Sequence, residues 1–375
     1  MRLFCVHNFG IYKTMLTKNV VEFLYSTASM QRWNDHIRVD GFTELDKQAH
    51  KAMILYVLAR HEEDEGAKLN WRVLVEGLIF EYIHRSFLTD IKPPVFHELV
   101  RECKRELNDW VYKQVDERVP DLDKGLRRRM EDWFDKEDNP LEKQLVRAAH
   151  YLATQWEFAV IYRLNEGRYG IEETKREIES ELLNHKNLAG TRQVVFSGPT
   201  KSFIDLVGQL RYQKRWAQSP RLPSTSVLGH SLIVAMFGYM CNLQRGRKDA
   251  ETMEDFWRGL FHDLPEVLTR DIVSPVKKNV AGLDEVLNKV EINLINQKIL
   301  PLLPEPWRKD MLRITQGFDA ESLMKACDNL AAYMEVKLSQ ESGVTSRHML
   351  EAAKAMEEQY KDRVIDGVDF GKLFV

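Results

Sequence analysis

Four polar side chains in the C-terminal half of the 375-residue chain have the types and spacing of a metal site: His230, the adjacent pair His262-Asp263, and Asp328. Each lies in an apolar stretch, at 231–235, 257–261 and 323–332. Two imidazoles and two carboxylates form a mixed nitrogen–oxygen donor set, suited to a borderline or hard divalent ion such as Mn²⁺, Fe²⁺, Co²⁺, Ni²⁺ or Zn²⁺. Neighbours on a helix project about 100° apart, so residues 262 and 263 can take adjacent corners of one ion. His230 and Asp328 must then come from other helices packed against that one. A buried His-Asp cluster with nothing between its members would leave costly unpaired groups, which favours an ion.

The elements that must position these residues read as helices. Apolar residues recur every three or four positions over 44–59, 71–80, 141–164, 226–243, 285–300 and 321–338, whereas long alternating stretches rich in Val, Ile and Thr are scarce. Prolines punctuate the chain at 93–94, 220–223 and 301–306, and residues 196–202 carry turn chemistry near mid-chain. The expectation is an all-α protein of two domains, residues 1–196 and 197–375.

Composition narrows the possible partners. With 44% hydrophobic and 30% charged residues, each half can fill a core and keep a solvated surface. Lys plus Arg total 54 against 57 Asp plus Glu, so no basic excess recruits nucleic acid or an anionic membrane. The short charge runs at 62–65, 127–129 and 245–248 read as solvated faces. Cys5, Cys103, Cys241 and Cys327 lie far apart, without a Cys-x-x-Cys pair, and read as reduced thiols in a cytoplasmic chain. The apolar N-terminus is broken by His7, Asn8, Lys13, Lys18 and Asn19, so no secretion signal is expected. No stretch approaches eighteen uncharged apolar residues, which argues against a membrane span. Glycine-rich phosphate loops, GxSxG elbows and HExxH pairs are absent from the sequence.

The chain also repeats itself. Without a gap, Phe80 aligns with Phe261, Asp90-Ile91 with Asp271-Ile272, and Pro94-Val95 with Pro275-Val276. Arg32-Trp33 precedes His50 much as Arg215-Trp216 precedes His230, and His150 falls where Asp328 falls. Two tandem copies of one helical domain are expected.

The ordered set of lone His, adjacent His-Asp and distal Asp resembles the HD-domain phosphohydrolase superfamily. It is most similar to the YfbR-like branch of bacterial 5'-deoxyribonucleotidases. That branch has an Arg-Trp pair upstream of the first His and a block His-Asp-x-x-Glu-Val-Leu-Thr-Gly-Asp-x-x-Thr-Pro-Val-Lys. Here Arg215-Trp216 precedes His230, and the block reads His262-Asp-Leu-Pro-Glu266-Val-Leu-Thr-Arg-Asp271-Ile-Val-Ser274-Pro-Val-Lys277. The resemblance implies His230, His262, Asp263 and Asp328 as metal ligands and Glu266 as general acid/base. It implies Arg215 as the phosphate grip and Trp216 as a surface for sugar or base. Asp271 would contact the sugar, Ser274 would keep the hydroxyl of the family's Thr, and Lys277 would add a second positive charge. Gly229 stands where the family usually has Glu. Arg270 replaces Gly, so the turn there is expected to be built differently.

The implied reaction is hydrolysis of a (deoxy)nucleoside 5'-monophosphate to nucleoside and phosphate, with a divalent cofactor among Mn²⁺, Co²⁺, Fe²⁺, Ni²⁺, Zn²⁺ and Mg²⁺. Two alternatives are an HD hydrolase of nucleoside triphosphates or signalling nucleotides, and a non-enzymatic nucleotide sensor. The family acts as homodimers, so the tandem is expected to form a pseudo-dimer within one chain, with a homo-oligomer as the other possibility. In the first copy the ligand positions are expected at His50, Glu81, Tyr82 and His150, with Arg85 at the Glu266 position. Tyr and Arg there imply a catalytically dead copy.

Overall fold

The computed structural model describes residues 15–88, 91–195, 198–270 and 283–375. The first half contributes helices α1 (Lys18–Leu24), α2 (Glu44–Asp64), α3 (Trp71–Leu88), α4 (Pro93–Arg118), α5 (Lys124–Asp135), α6 (Leu141–Asn165), α7 (Ile171–Leu183) and α8 (Ala189–Val195). The second contributes α9 (Pro199–Gly208), α10 (Val227–Gln244), α11 (Asp249–Phe261), α12 (Glu266–Thr269), α13 (Leu283–Leu294), α14 (Arg308–Ile314), α15 (Leu323–Glu341) and α16 (Arg347–Tyr360). A hairpin of Val364–Ile365 and Val368–Asp369 is the sheet found among the described residues. The protein is all-α. Each periodic stretch of the sequence is helical, the fifth passing from α13 into a π-turn over Ile295–Ile299.

Helix starts follow local chemistry. The hydroxyls of Thr43, Ser226 and Ser322 accept the amides of Asp46, Gly229 and Lys325, starting α2, α10 and α15. Each such cap contributes about 1 kcal/mol and fixes which residue faces which way in the first turns.

Helices α2 and α10 pack together at the centre, and both are buried on nearly every side. Helix α10 is apolar all round, as a fully enclosed helix must be. It is also the one described helix long and apolar enough to cross a membrane, and here it lies inside the protein. Helix α2 instead buries Glu44, Asp46, Lys47, His50 and Lys51, polar groups that must find partners indoors. One continuous apolar core runs through both halves.

The halves share a local construction. Backbone bridges pair Gln31 with Thr43 and Lys214 with Ser226, so each Arg-Trp segment closes back on the cap of a central helix. Trp33 and Trp216 both sit at positive φ, 58° and 56°. Such a conformation costs a non-glycine residue of order 1 kcal/mol, and it occurs here twice at matched positions. These caps set a register different from the one expected. Four residues beyond Thr43 is Lys47, and four residues beyond Ser226 is His230. His50 therefore does not match His230. It is buried one turn further along, where its Nε2 donates to the Ile204 carbonyl (2.9 Å) and its Nδ1 lies 3.3 Å from Arg211 Nη2.

Candidate metal centre and active site

His230 comes from the first turn of α10, His262 and Asp263 from the end of α11, and Asp328 from the second turn of α15. The chain reaches this arrangement because α10 packs on both α11 and α15. Gly229 allows close approach at the start of α10: a Cβ there would lie 3.0 Å from both Asp46 Oδ1 and the Leu45 side chain of α2. Asp46 also accepts the Ser226 hydroxyl, so the first half steadies the helix that carries His230.

The ligand atoms of His230, His262 and Asp328 lie within 4.8 Å of one another, a spacing that one ion with bonds of about 2.0–2.2 Å can bridge. His230 Nε2 is 3.0 Å from Asp328 Oδ1, and its Nδ1 is 3.3 Å from Glu335 Oε1. His262 Nδ1 sits 2.8 Å from the Gly259 carbonyl and must donate to it, which leaves the Nε2 lone pair facing the cluster. That Nε2 lies 3.2 Å from Asp263 Oδ2 and 4.0 Å from Asp328 Oδ1. His262 Nε2 and Asp263 Oδ2 are buried, and neither makes a hydrogen bond of acceptable geometry. Two orphaned donor atoms facing one another in a nitrogen–oxygen set fit a divalent cation.

The charges around this centre are held in their ionised forms. Burial pushes the Asp263 carboxyl up, but the His262 imidazole and the Arg215 guanidinium overcome it and hold the pKa well below the carboxylate range. Asp328 is likewise held low against burial, by its hydrogen bond to His230 and the charge of Lys325, whose Nζ is 2.6 Å away. Burial and Arg215 oppose protonation of His230, yet its bonds to Asp328 and Glu335 raise its pKa.

Arg215 reaches the rim, with Nη1 3.7 Å from Asp263 Oδ2 and Nε 3.9 Å from Glu335 Oε2. Both contacts are looser than a good hydrogen bond, leaving the guanidinium able to turn to an anion. Trp216 donates its indole N–H to Glu335 Oε2 at 2.9 Å. Glu266 is buried at the start of α12, and its carbonyl accepts Gln213 Nε2. Pro265 adopts helical angles and opens α12 as a new turn, so it places Glu266 without disrupting α11. Arg270 takes φ 61° itself, contrary to the expectation that its replacement of glycine would rebuild the turn. Asp271, Ser274 and Lys277 lie outside the described residues.

Sequence reasoning missed Glu335, Lys325 and Phe318. Glu335 follows Asp328 by two helical turns on the same face of α15, the signal by which it could have been found. Its pKa is held down to about 2: burial opposes ionisation, but Arg221 and the His230 hydrogen bond prevail. Phe318 lies against the His262 ring at 4.8 Å and closes one side of the centre.

An all-helical domain bringing His, His-Asp and Asp together from three helices, with Arg at the rim, is of the HD-type metal-dependent phosphohydrolase class. Residues 202–371 match the model of the family described as 5'-deoxynucleotidase YfbR-like. The 5'-deoxynucleotidase of Vibrio atlanticus is 26% identical over 175 residues, covering 45% of this chain and 89% of the relative. A 5'-deoxynucleotidase of Photobacterium profundum is 27% identical over 168 residues, 43% of this chain and 85% of the relative. That of Shewanella oneidensis is 27% identical over 157 residues, 39% and 80% respectively.

Proposed function

We propose that the C-terminal half hydrolyses (deoxy)nucleoside 5'-monophosphates to nucleoside and orthophosphate, and that the first half is a catalytically inactive copy completing a pseudo-dimer. The convergence of His230, His262 and Asp328, with Arg215 beside them, carries this reading. Asp263 completes the donor set. A divalent ion held there, Mn²⁺ or Co²⁺ being well suited to it, would polarise a phosphoryl oxygen and make water a better nucleophile at neutral pH.

The chain's own residues supply the rest. Arg215 turns from its long contacts to the phosphoryl oxygens, matching their geometry with its planar fork and staying charged throughout. Glu266 accepts a proton from the attacking water and returns one to the 5'-oxygen as the P–O bond to it breaks. Glu335 fixes His230 through Nδ1 and Trp216 through Nε1, so the ligand and the substrate-facing indole are set by one carboxylate. Trp216 then offers a face for sugar or base. Asp271, Ser274 and Lys277 are the proposed sugar and phosphate contacts, from the family block.

The pseudo-dimer reading is supported by the matched Arg-Trp segments and caps, and by groups that cross between halves. Tyr25 donates to the Ala331 carbonyl beside the second site, and Arg211 Nη1 donates to Glu157 Oε1 beside the first. A panel of nucleoside mono-, di- and triphosphates, incubated with purified chain and Mn²⁺ or Co²⁺, tests the function. Orthophosphate release from monophosphates is expected. An inert panel, or release of pyrophosphate or triphosphate alone, would refute it.

A further inference from the structure

The N-caps of the two central helices share one carboxylate. Thr43 Oγ1, the cap of α2, donates to Asp46 Oδ2 at 2.9 Å, and Ser226 Oγ, the cap of α10, donates to Asp46 Oδ1 across the junction of the halves. Each hydroxyl oxygen also accepts an amide of its own helix, Asp46 N–H at 3.1 Å and Gly229 N–H at 2.9 Å, which leaves its hydrogen for the carboxylate. All three side chains are buried.

The two caps match except at one position. The third residue after Thr43 is Asp46, and the third after Ser226 is Gly229. The residues that follow, Lys47 and His230, donate their amides to the Thr43 and Ser226 carbonyls at 3.1 and 3.0 Å. Helix α10 carries no acid in its first turn, and Asp46 of α2 serves in place of one. A carboxylate between two helix N-termini is favoured by both, because each end carries partial positive charge. Burial pushes the Asp46 carboxyl up, opposed by the charges of Lys214 and Arg211 and by the two hydroxyl bonds. The junction has room for a single acid: a Cβ at position 229 would already lie 3.0 Å from Asp46 Oδ1. A second carboxylate would bring two enclosed negative charges together.

We propose that Asp46 is a positioning residue for the metal centre of the other half. It holds the first turn of α10 where His230, one residue beyond Gly229, presents Nε2 to Asp328 Oδ1 at 3.0 Å. The inference rests on the reading of His230 as a metal ligand in the proposed function. The inactive half then supplies a group that the catalytic half lacks in its own sequence.

Because the caps match, the carboxylate should be exchangeable between the halves. Asp46→Gly removes it, Gly229→Asp crowds a second beside it, and the double variant Asp46→Gly/Gly229→Asp returns a single carboxylate, now carried by α10. Calorimetric titration of Mn²⁺ into the full chain reads the metal centre without relying on turnover. Each single variant should weaken Mn²⁺ binding about tenfold, the scale of losing an outer support of a ligand. The double variant should recover to within about threefold of the parent, the two changes being strongly coupled. Single variants with lowered unfolding midpoints but the parent's Mn²⁺ affinity would show a brace without a positioning role and overturn the proposal. A double variant that binds no better than the weaker single variant, or that does not fold, overturns it as well. If Asp46→Gly alone does not fold, Asp46→Asn, which keeps the shape but loses one acceptor and the charge, should show the loss of affinity, and an unchanged affinity there counts against the proposal. A parent that shows this pattern yet hydrolyses no nucleotide overturns the proposed function alone, whereas a parent that binds no Mn²⁺ overturns both.

Discussion

The indole of Trp216 and the carboxylate of Glu335 are joined at 2.9 Å, and Trp33 and Glu157 are joined at the same distance in the other half. Each carboxylate is fully buried and shared: Glu335 also meets His230, and Glu157 also holds Arg32. Glu335→Gln keeps a side chain able to accept from the indole but removes the charge behind His230. Metal affinity should fall about 10–100-fold, as when the outer partner of a ligating histidine is lost. Mn²⁺ titration followed by calorimetry reads this directly, and Glu335→Asp should recover part of the loss.

Metal content should be one divalent ion per chain. In the first half Lys47 Nζ lies against His150 Nδ1 and Lys51 Nζ against Glu81 Oε2, so the His and Glu that could ligate an ion there are already bonded to lysines. Elemental analysis of purified protein checks the number. His262→Ala or Asp328→Ala should empty the site, and two ions in the parent would contradict this account.

Glu266→Gln should lower kcat by about 10²–10⁴-fold, the usual contribution of a positioned acid/base group. Its metal content should match the parent's, because Glu266 is not among the ligands. Steady-state kinetics with elemental analysis on the same preparation separates the two roles.

Acid should destabilise the fold before carboxylates titrate. Burial and the Arg211 charge pull the His50 pKa down to about 3, and burial pulls that of His84 to about 4. Both are below the value of about 6.5 in an unfolded chain, so between these limits the unfolded state binds more protons. Stability from these groups is complete above about pH 6.5 and is lost as pH falls toward 4 and then 3, by up to about 1.4 kcal/mol per pH unit for each group. Denaturant midpoints measured from pH 7.5 to 5 should decline, and less steeply in His50→Gln.

Arg211→Met should cost about 3–5 kcal/mol, because it leaves Glu157 charged and buried without one of its partners. Gly229→Ala should cost about 1–3 kcal/mol, since the added methyl must push against Asp46 and Leu45 across the junction of the halves. Chemical denaturation of the full chain measures both. A change of under 0.5 kcal/mol in either would mean that the halves are less tightly coupled than these contacts imply.

Much of the second half was legible as sequence. Helical periodicity placed α10 and α15, and the adjacent pair His262-Asp263 then had to come from a helix other than those carrying His230 and Asp328. Glu335 escaped notice because a single glutamate on a helix carries no mark of burial; its role depends on which face of α15 meets α10 and the Trp216 loop. The first half was read in the wrong register. His50 looked like the counterpart of His230 by residue type, whereas Thr43 and Ser226 fix the alignment and put Lys47 there.

The linear chain determined the helical class, the donor set and the Arg-Trp pairs, because periodicity, residue chemistry and spacing are properties of neighbours along a strand of polymer. Only the packed structure decided that Glu335 supports both His230 and Trp216, that Lys47 meets His150 and Lys51 meets Glu81, and that Asp46 braces α10 from the other half. Those relationships join residues more than a hundred positions apart, or depend on which helical face is turned inward. Burial then sets their energetics, since the same ammonium or carboxylate that is inconsequential in water must find a partner once enclosed.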